Sequence, residues 1–440
     1  MRQLKPPAGA ASVDDAYAVS RRYAGFVFAM TFMLMLFDFI DRQIVISMFP
    51  HLGAEWGLSD KQLGALVSVV PISVALATVP ISLAADRWSR PKSVAAMGAV
   101  WSLATIGCGF ASSYEQLLAW RLVVGLGEAG YGPVAGAILA GLFPARMRAA
   151  VLGGVIAASS LGSVLGVALG GVIAQHWGWR AAFGVVGFPG LVLALMFLFV
   201  RNQASAPPRD LRSPGGGVSH ARFRTIAAAV LRPRTVVCVC AGSALQLFVL
   251  STLYTWMPSF LHRYYGLASD EAGLKAAIVV LVGAVGTPVW GHLADRAGLA
   301  GRPQRKLQVV AAACLFTLAA LSLAFGLLQP GPVQFALIVI GGFGLTCTLG
   351  TTPAVVMDVV DPGLRATATA MVALIQGLFG LAGGAFVAGA LSDAFGLHTA
   401  LALIPVASLG AAWLFVAAGR SYEADRMLPA ALRTPKTLPA

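Results

Sequence analysis

Apolar runs of about 20 residues, the length with which a helix crosses a bilayer, recur along the whole chain. About twelve such windows lie at 24–50, 59–84, 93–112, 117–142, 148–175, 180–200, 235–262, 271–294, 307–328, 332–357, 364–392 and 396–418. Only 11% of the residues are charged, whereas roughly 25% are charged in an average soluble domain. The chain therefore lacks a water-facing surface, and we predict an all-α integral membrane protein with about twelve transmembrane helices.

A polar segment divides these windows into two sets of six. Residues 201–234 contain seven arginines, the prolines Pro207, Pro208 and Pro214, and three consecutive glycines at 215–217. This composition is typical of a linker. We predict two six-helix bundles at 24–200 and 235–418, joined by a cytoplasmic linker at 201–234. Cytoplasmic tails precede and follow them at 1–23 and 419–440.

The basic residues predict the orientation of the chain in the membrane. If the N-terminus is inside, the loops on the outer side hold only four of them, Lys61, Arg180, Arg263 and Lys275. Cytoplasmic loops of membrane proteins carry an excess of Lys and Arg, so both termini are predicted to be cytoplasmic. The net charge of +13 then reflects membrane topology, and no nucleic-acid partner is expected.

The two predicted halves repeat each other. Asp86-Arg87 follows the second window and Asp295-Arg296 follows the eighth. Arg146 and Arg148 after the fourth window correspond to Arg365 after the tenth. Two repeated six-helix halves are typical of secondary transporters, with the substrate site near the midplane between them.

These loops resemble the Gly-x-x-x-Asp-Arg-x-Gly signature of the major facilitator superfamily. The second copy, Gly291 to Gly298, fits the signature, whereas the first has Ser82 and Ser89 at the glycine positions. The resemblance implies that these loops form a cytoplasmic gate that holds the outward-facing state. Its predicted residues are Asp86, Arg87, Arg90, Arg148, Asp295, Arg296 and Arg365.

Within that superfamily the chain resembles the spinster-like transporters. The resemblance lies in Phe39–Ile44, Gly57–Gly64, Arg121–Gly130 and Gly178–Phe183. Symporters of organic anions share the Asp-Arg pair of the first window. That pair therefore leaves both families open, and the Gly-x-Gly-Glu-Ala stretch favours spinsters.

Five charged residues fall inside apolar windows, where an unpaired charge costs about 3 kcal/mol or more. Asp38, Asp41 and Arg42 share one face of the first span, and Arg121 and Glu128 share one stripe of the fourth. Three carboxylates against two arginines allow at least one carboxylate to exchange a proton. The resemblance implies that Asp41 and Glu128 couple transport to protons, while Arg42 and Arg121 pair with them or hold an anionic headgroup; Asp38 is a further candidate.

The second half contrasts with the first, because its deep spans contain no Lys or Arg. We predict a neutral, aromatic cavity wall formed by Gln246, Phe248, Ser251, Tyr254, Trp256, Thr348 and Gln376. One charged and one aromatic wall suit an amphipathic solute with a charged head. In the fifth span, Gly153, Gly162, Gly166, Gly170 and Gly171 predict close helix packing.

These patterns predict a proton-coupled secondary transporter that works by alternating access. The expected substrate is amphipathic, and the resemblance to spinster-like transporters implies a lysophospholipid or sphingolipid. The alternative is a proton symporter of sugar acids or other carboxylates. No nucleophile–base or metal-ligand motif occurs in the sequence, so we predict no enzyme, no metal and no cofactor beyond the proton gradient. We expect a monomer among membrane lipids, in a bacterial inner membrane.

Overall fold

The computed structural model describes residues 19–201, 230–299 and 302–427. Most of the predicted linker, 201–234, lies outside the described residues, as do most of the N-terminal tail and part of the C-terminal tail. The predicted domain boundaries therefore stay predictions.

The described residues form twelve consecutive helical rods and no strand, which confirms the predicted fold class. The first half contains α1 (Arg21–Trp56), α2 (Asp60–Arg87), α3 (Arg90–Gly109), α4 (Tyr114–Leu142), α5 (Ala145–Trp177) and α6 (Trp179–Phe199). The second contains α7 (Arg234–Tyr265), α8 (Ser269–Leu299), α9 (Arg305–Leu327), α10 (Pro332–Val359), α11 (Arg365–Ile375, Gln376–Ala382 and Gly383–Phe395) and α12 (Leu397–Met427).

Among the described helices, 11 are long and apolar enough to cross a membrane. The twelfth, α3, is 20 residues long but begins with the polar residues Arg90 and Lys92. It packs against α4 and α6, and its polar residues Ser102 and Thr105 are buried inside the protein. The sequence window 93–112 therefore corresponds to a helix whose polar side chains are accommodated by contacts with neighbouring helices.

Each half is held together by its own helix contacts, and two helix pairs form most of the contact between the halves. In the first half α1 packs on α5 and α3 on α6, and in the second α7 packs on α12 and α9 on α10. Between the halves, α2 packs on α11 and α5 packs on α8. The internal repeat also appears in the turns. Gly57 and Gly266, which end α1 and α7, have φ of 64° and 67°, and Gly178 and Gly396, which follow α5 and α11, have φ of 79° and 82°.

The glycines of α5 provide the close packing that the sequence predicted. A Cβ atom at Gly166 would lie 2.7 Å from the carbonyl oxygen of Ile40, and one at Gly170 would lie 2.8 Å from that of Ile44. Gly162 approaches the backbone of α1 in the same way. Gly153 has open space around it and takes no part in this contact with α1.

Several spans contain irregular segments, and two of these segments adjoin predicted site residues. α4 is interrupted at Ala129 and Gly130, where Gly130 has a φ of 83° that only glycine adopts readily. α11 contains a π-helical segment at Gln376–Ala382. Such irregular segments within helices frequently occur at functional sites. Here one directly follows Glu128 and the other begins at Gln376.

Candidate functional site

α1 and α4 bring the five intramembrane charges together in one cluster. The Nη2 atom of Arg42 lies 2.8 Å from Oε2 of Glu128 and 3.5 Å from Oδ2 of Asp38. Two carboxylates therefore converge on one guanidinium nitrogen. The Glu128 side chain is fully buried, and that of Asp38 is 2% exposed.

The other two charges form a separate pair. Nη1 of Arg121 donates a hydrogen bond of 3.1 Å to Oδ2 of Asp41, and both side chains are buried. Asp41 thus has its own arginine, whereas Asp38 and Glu128 share one. The helical spacing in the sequence indicated which residues share a face, but not this division.

Glycines allow α4 to approach its neighbours closely enough to place Glu128. A Cβ atom at Gly125 would lie 2.7 Å from the carbonyl oxygen of Val70 on α2. One at Gly127 would lie 2.5 Å from the backbone nitrogen of Trp101 on α3. Glu128 is the last residue of the first segment of α4, immediately before the break. The Gly-x-Gly-Glu-Ala-Gly stretch therefore sets both the packing of α4 and the position of its acid.

The cluster keeps unused hydrogen-bonding atoms. Oδ1 of Asp38, Oε1 of Glu128 and Nε of Arg42 are buried without a hydrogen-bond partner. Arg42 is 26% exposed, whereas the other four side chains are almost completely buried. The Arg42 guanidinium also lies 5.0 Å from the ring centroid of Phe39. Arg42 is thus the member of the cluster that a bound anion could reach with the least rearrangement.

The predicted aromatic wall is used in part for packing within the second half. Gln246 accepts a hydrogen bond of 2.9 Å from Ser408 and contacts Thr317 at 3.4 Å, deep between α7, α9 and α12. Ser251 donates to the carbonyl of Leu381 at 2.6 Å, and Trp256 donates to that of Ala385 at 3.1 Å. These three side chains hold α7 to its neighbours.

Within the described residues, the other four members of the predicted wall do not hold α7 to its neighbours through polar contacts. Tyr254 and Thr348 are buried and their hydroxyl groups have no hydrogen-bond partner. Phe248 and Gln376 are half-buried, and Gln376 is the first residue of the π-helical segment. These four residues are the part of the predicted wall whose polar or aromatic groups are not committed to a polar contact in the described structure.

For part of the predicted cytoplasmic gate the structure describes contacts, and these lie within one half. Arg148 donates to the carbonyl of Phe143, and Asp295 lies 3.7 Å from Lys306, so both contact their own half. Arg296 and Arg365 are exposed. The side chains of Asp86 and Arg87 lie outside the described residues. The gate therefore stays a prediction.

The sequence interpretation missed a polar cluster at the opposite end of the molecule. Asp60 of α2 pairs with Arg263 of α7, and Asp393 of α11 binds the first turn of α2. The sequence interpretation counted Arg263 only among the cations of the outer loops. The sequence does show opposite charges at the ends of spans in different halves. It does not show which of these charged residues contact each other.

Comparison with known proteins identifies the family. A sequence model of the Major Facilitator Superfamily matches residues 31–384 and 270–434. The chain is 29% identical over 89% of its length to an MFS-type efflux pump of Mycolicibacterium smegmatis, covering 89% of that protein. It is 27% identical over 82% of its length to protein spinster of Drosophila melanogaster, of which it spans 61%. It is 24% identical over 76% of its length to a hexuronate transporter of Bacillus subtilis, covering 80% of that protein.

Solved structures give the same result. The fold superposes with a TM-score of 0.81 on a bacterial homolog of the human lysosomal transporter spinster in an inward-facing, unoccupied conformation. That match is 26% identical and covers 94% of this chain and 100% of the other. The matched proteins are membrane transporters and not enzymes. The chain is therefore a multi-pass membrane transporter of the major facilitator superfamily, and within it a spinster-like protein.

Proposed function

We propose that this chain is a proton-coupled secondary transporter that works by alternating access and moves an amphipathic solute with an anionic head. The observation that carries the proposal is the charge balance of the buried cluster. Asp38, Asp41 and Glu128 face Arg42 and Arg121, which leaves one more acid than base. Burying such an excess negative charge in a protein interior is unfavourable, so we expect one of the three acids to be protonated.

The contacts favour Asp38 and Glu128 as the pair that holds this proton. Asp41 is neutralised by Arg121, while Asp38 and Glu128 share the Nη2 atom of Arg42. Two carboxylates at one site do not ionise independently. Glu128 also ends a helix segment, where the free carbonyl groups disfavour a second negative charge. Asp38 thereby takes the role that the family resemblance implied for Asp41.

Competition for Arg42 links the solute to the proton. An anionic headgroup that binds the exposed side of Arg42 competes with Glu128 for the same guanidinium. Glu128 then loses its 2.8 Å partner in a buried setting and takes up a proton. Binding of the solute and uptake of the proton are coupled in this way without any further residue.

The wall opposite supports an amphipathic solute. The half-buried Phe248 offers aromatic surface, and the intramembrane residues of α7 carry no formal charge. An apolar body with one charged head fits a site with one charged and one neutral wall.

A proton symporter of sugar acids is the second candidate. It is supported by the similarity to a hexuronate transporter and by the second buried arginine, Arg121. In that case Arg42 and Arg121 together bind the small anion, and the aromatic wall contributes little to its affinity.

Proteoliposomes with an internal pH-sensitive dye test the proposal. Purified protein is given lysophospholipids in one series and hexuronates in another, and proton movement is recorded. Glu128→Gln and Asp38→Asn are each expected to reduce the lysophospholipid-dependent proton movement by at least about tenfold. Glu115→Gln is the matched control, because Glu115 lies on the same helix but is exposed.

The outcomes are distinct. A signal with hexuronates only, lost in the Glu128 variant, supports the second candidate. Solute flux that persists in Glu128→Gln and Asp38→Asn with an unchanged proton signal excludes the proposed proton site. Flux of lysophospholipid without any proton movement in the wild type excludes proton coupling.

A further inference from the structure

One end of the molecule carries a polar cluster that joins the two halves. Nη1 and Nη2 of Arg263 on α7 donate to Oδ2 and Oδ1 of Asp60 on α2 at 2.6 and 2.5 Å. Ser392 of α11 donates to Oδ2 of Asp60 at 2.5 Å. The Asp60 side chain is 10% exposed and that of Arg263 is 38% exposed. A carboxylate of the first half is thus held on both oxygens by the second half.

A second carboxylate makes the reverse contact. Asp393 of α11 accepts hydrogen bonds from the backbone N–H groups of Asp60 and Lys61 at 2.8 and 3.0 Å. These are the first two residues of α2, whose next N–H, that of Gln62, is bound by the Ser59 side chain. A side chain from the other half therefore completes the cap of α2. When the halves separate at this end, these N–H groups lose their protein acceptor.

The backbones of α2 and α11 are in direct contact beside the cluster. A Cβ atom at Gly389 would collide with the carbonyl of Asp60, and one at Gly64 would lie 2.5 Å from the carbonyl oxygen of Ala385. Ser68 donates to the carbonyl of Ala382 at 2.6 Å across the same interface. The polar cluster therefore sits at the end of a tight contact between the halves.

The internal repeat supplies a comparison within the molecule. The contact between α5 and α8 is the repeat counterpart of that between α11 and α2, and the same glycine contacts recur there: Gly171 against Ser269 and Gly273 against Val167. The polar cluster does not recur. At the offsets of the Gly57–Gly266 and Gly178–Gly396 turns, the counterparts of Asp60, Arg263, Ser392 and Asp393 are Ser269, Ala54, Ala174 and Gln175. The two interfaces share their shape but not their charge.

We propose that Asp60, Arg263, Ser392 and Asp393 form a lock that stabilises the conformation closed at this end and that opens in each transport cycle. These groups bond to each other only while the halves are in contact, and water replaces those partners when the halves separate. Their interaction free energy therefore belongs to one conformation, which is the condition for shifting a conformational equilibrium. The α5–α8 interface is equally tight but lacks these charged groups. It therefore contributes packing and no comparable shift of the conformational equilibrium.

Distance measurements between spin labels test this without any substrate. Ser112 lies beside α2 and α4, near the Tyr114–Gln62 contact, and Gln329 lies near the Tyr265–Gly331 contact. Both are exposed and belong to different halves. Ser112→Cys and Gln329→Cys are labelled in a Cys238→Ser background, because the other native cysteines are buried. The labels report the separation of the halves at this end by double electron–electron resonance in nanodiscs.

We expect Arg263→Gln to raise the population with a long distance by about fivefold, since one broken partly exposed pair shifts an equilibrium by that order. Asp60→Asn is expected to do the same, and the double variant no more than either single one. Arg263→Lys keeps the charge and should lie between wild type and Arg263→Gln. Gln175→Ala, at the counterpart of Asp393, is the matched control and should leave the distances unchanged.

Two results overturn the proposal. One is an unchanged distance distribution in folded Arg263→Gln and Arg263→Lys. The other is an equal shift in Gln175→Ala, which shows a general loosening of the halves. Because no substrate or proton gradient is present, failure of the proposed proton coupling leaves this experiment unaffected.

Discussion

Arg121 and Asp41 form a buried one-to-one ion pair between α4 and α1, with 3.1 Å between Nη1 and Oδ2. The pair sits beside a less balanced arrangement in which Arg42 serves both Asp38 and Glu128. The two acids of α1 that lie three residues apart are thus in different electrostatic settings. Their substitutions are expected to differ accordingly.

Asp41→Asn is expected to destabilise the protein by about 3–5 kcal/mol, because it leaves the Arg121 cation buried and arginine does not release its proton. Arg121→Gln is expected to cost less, since the stranded Asp41 can take up a proton. Thermal unfolding in detergent, followed by circular dichroism, gives the order of the two variants. Equal losses, or a larger loss in Arg121→Gln, contradict the assigned pair, and Asp41→Asn/Arg121→Gln should recover part of the stability.

Asp38→Asn and Glu128→Gln are expected to leave thermal stability unchanged or slightly raised. Each removes one negative charge from the site where two acids share Arg42, so that Arg42 keeps a single partner. Asp41→Asn removes the same formal charge and serves as the comparison in the same unfolding experiment. If all three variants change stability by the same amount, the division of the cluster into two groups is wrong.

Gly166→Ala is expected to destabilise the protein by about 1–3 kcal/mol. Its Cβ atom would lie 2.7 Å from the Ile40 carbonyl oxygen and 2.8 Å from the Cβ of Gln43, and a backbone atom cannot move aside without shifting α1. Gly153→Ala, on the same helix with open space around it, is the control and should be neutral or stabilising. Similar unfolding temperatures for the two variants would argue against glycine-dependent packing of α5 on α1.

Gly130→Ala is expected to displace Glu128 from Arg42. Gly130 has a φ of 83°, and an added Cβ would lie 2.9 Å from Oγ of Ser82, so the break in α4 has to change. A cost of about 1–2 kcal/mol follows from the left-handed backbone alone. Gly132→Ala is the nearby control, since its Cβ would first meet Met35 at 3.9 Å. Proton movement in proteoliposomes should fall in Gly130→Ala and persist in Gly132→Ala.

The helices were predictable because the bilayer requires long apolar segments, and the chain contains them at regular intervals. α3 is the informative exception, since burial of Ser102 and Thr105 within the protein permits a less apolar segment. The break at Gly130 and the π-helical segment of α11 depend on contacts with other helices. No periodicity in the local sequence indicates them.

The charged cluster was predictable in membership but not in pairing. The cost of burying charge singles out Asp38, Asp41, Arg42, Arg121 and Glu128 from sequence alone. Which acid meets which arginine depends on the rotation of α1 against α4, and that rotation is set by packing. The contact between Asp60 and Arg263 is further from prediction still, because both residues lie where a membrane protein ordinarily exposes charge to water.

Because Arg263 is partly exposed, the ion pair that it forms with Asp60 responds to the salt concentration of the solution at this end of the protein. Dissolved ions weaken an ion pair that water reaches, with a screening length of about 8 Å at physiological ionic strength. The deeply buried Asp41–Arg121 pair is shielded from those ions. The ionic strength on one side of the membrane therefore acts on the balance between closed and open forms, while the chemistry of the central cluster remains insulated from it.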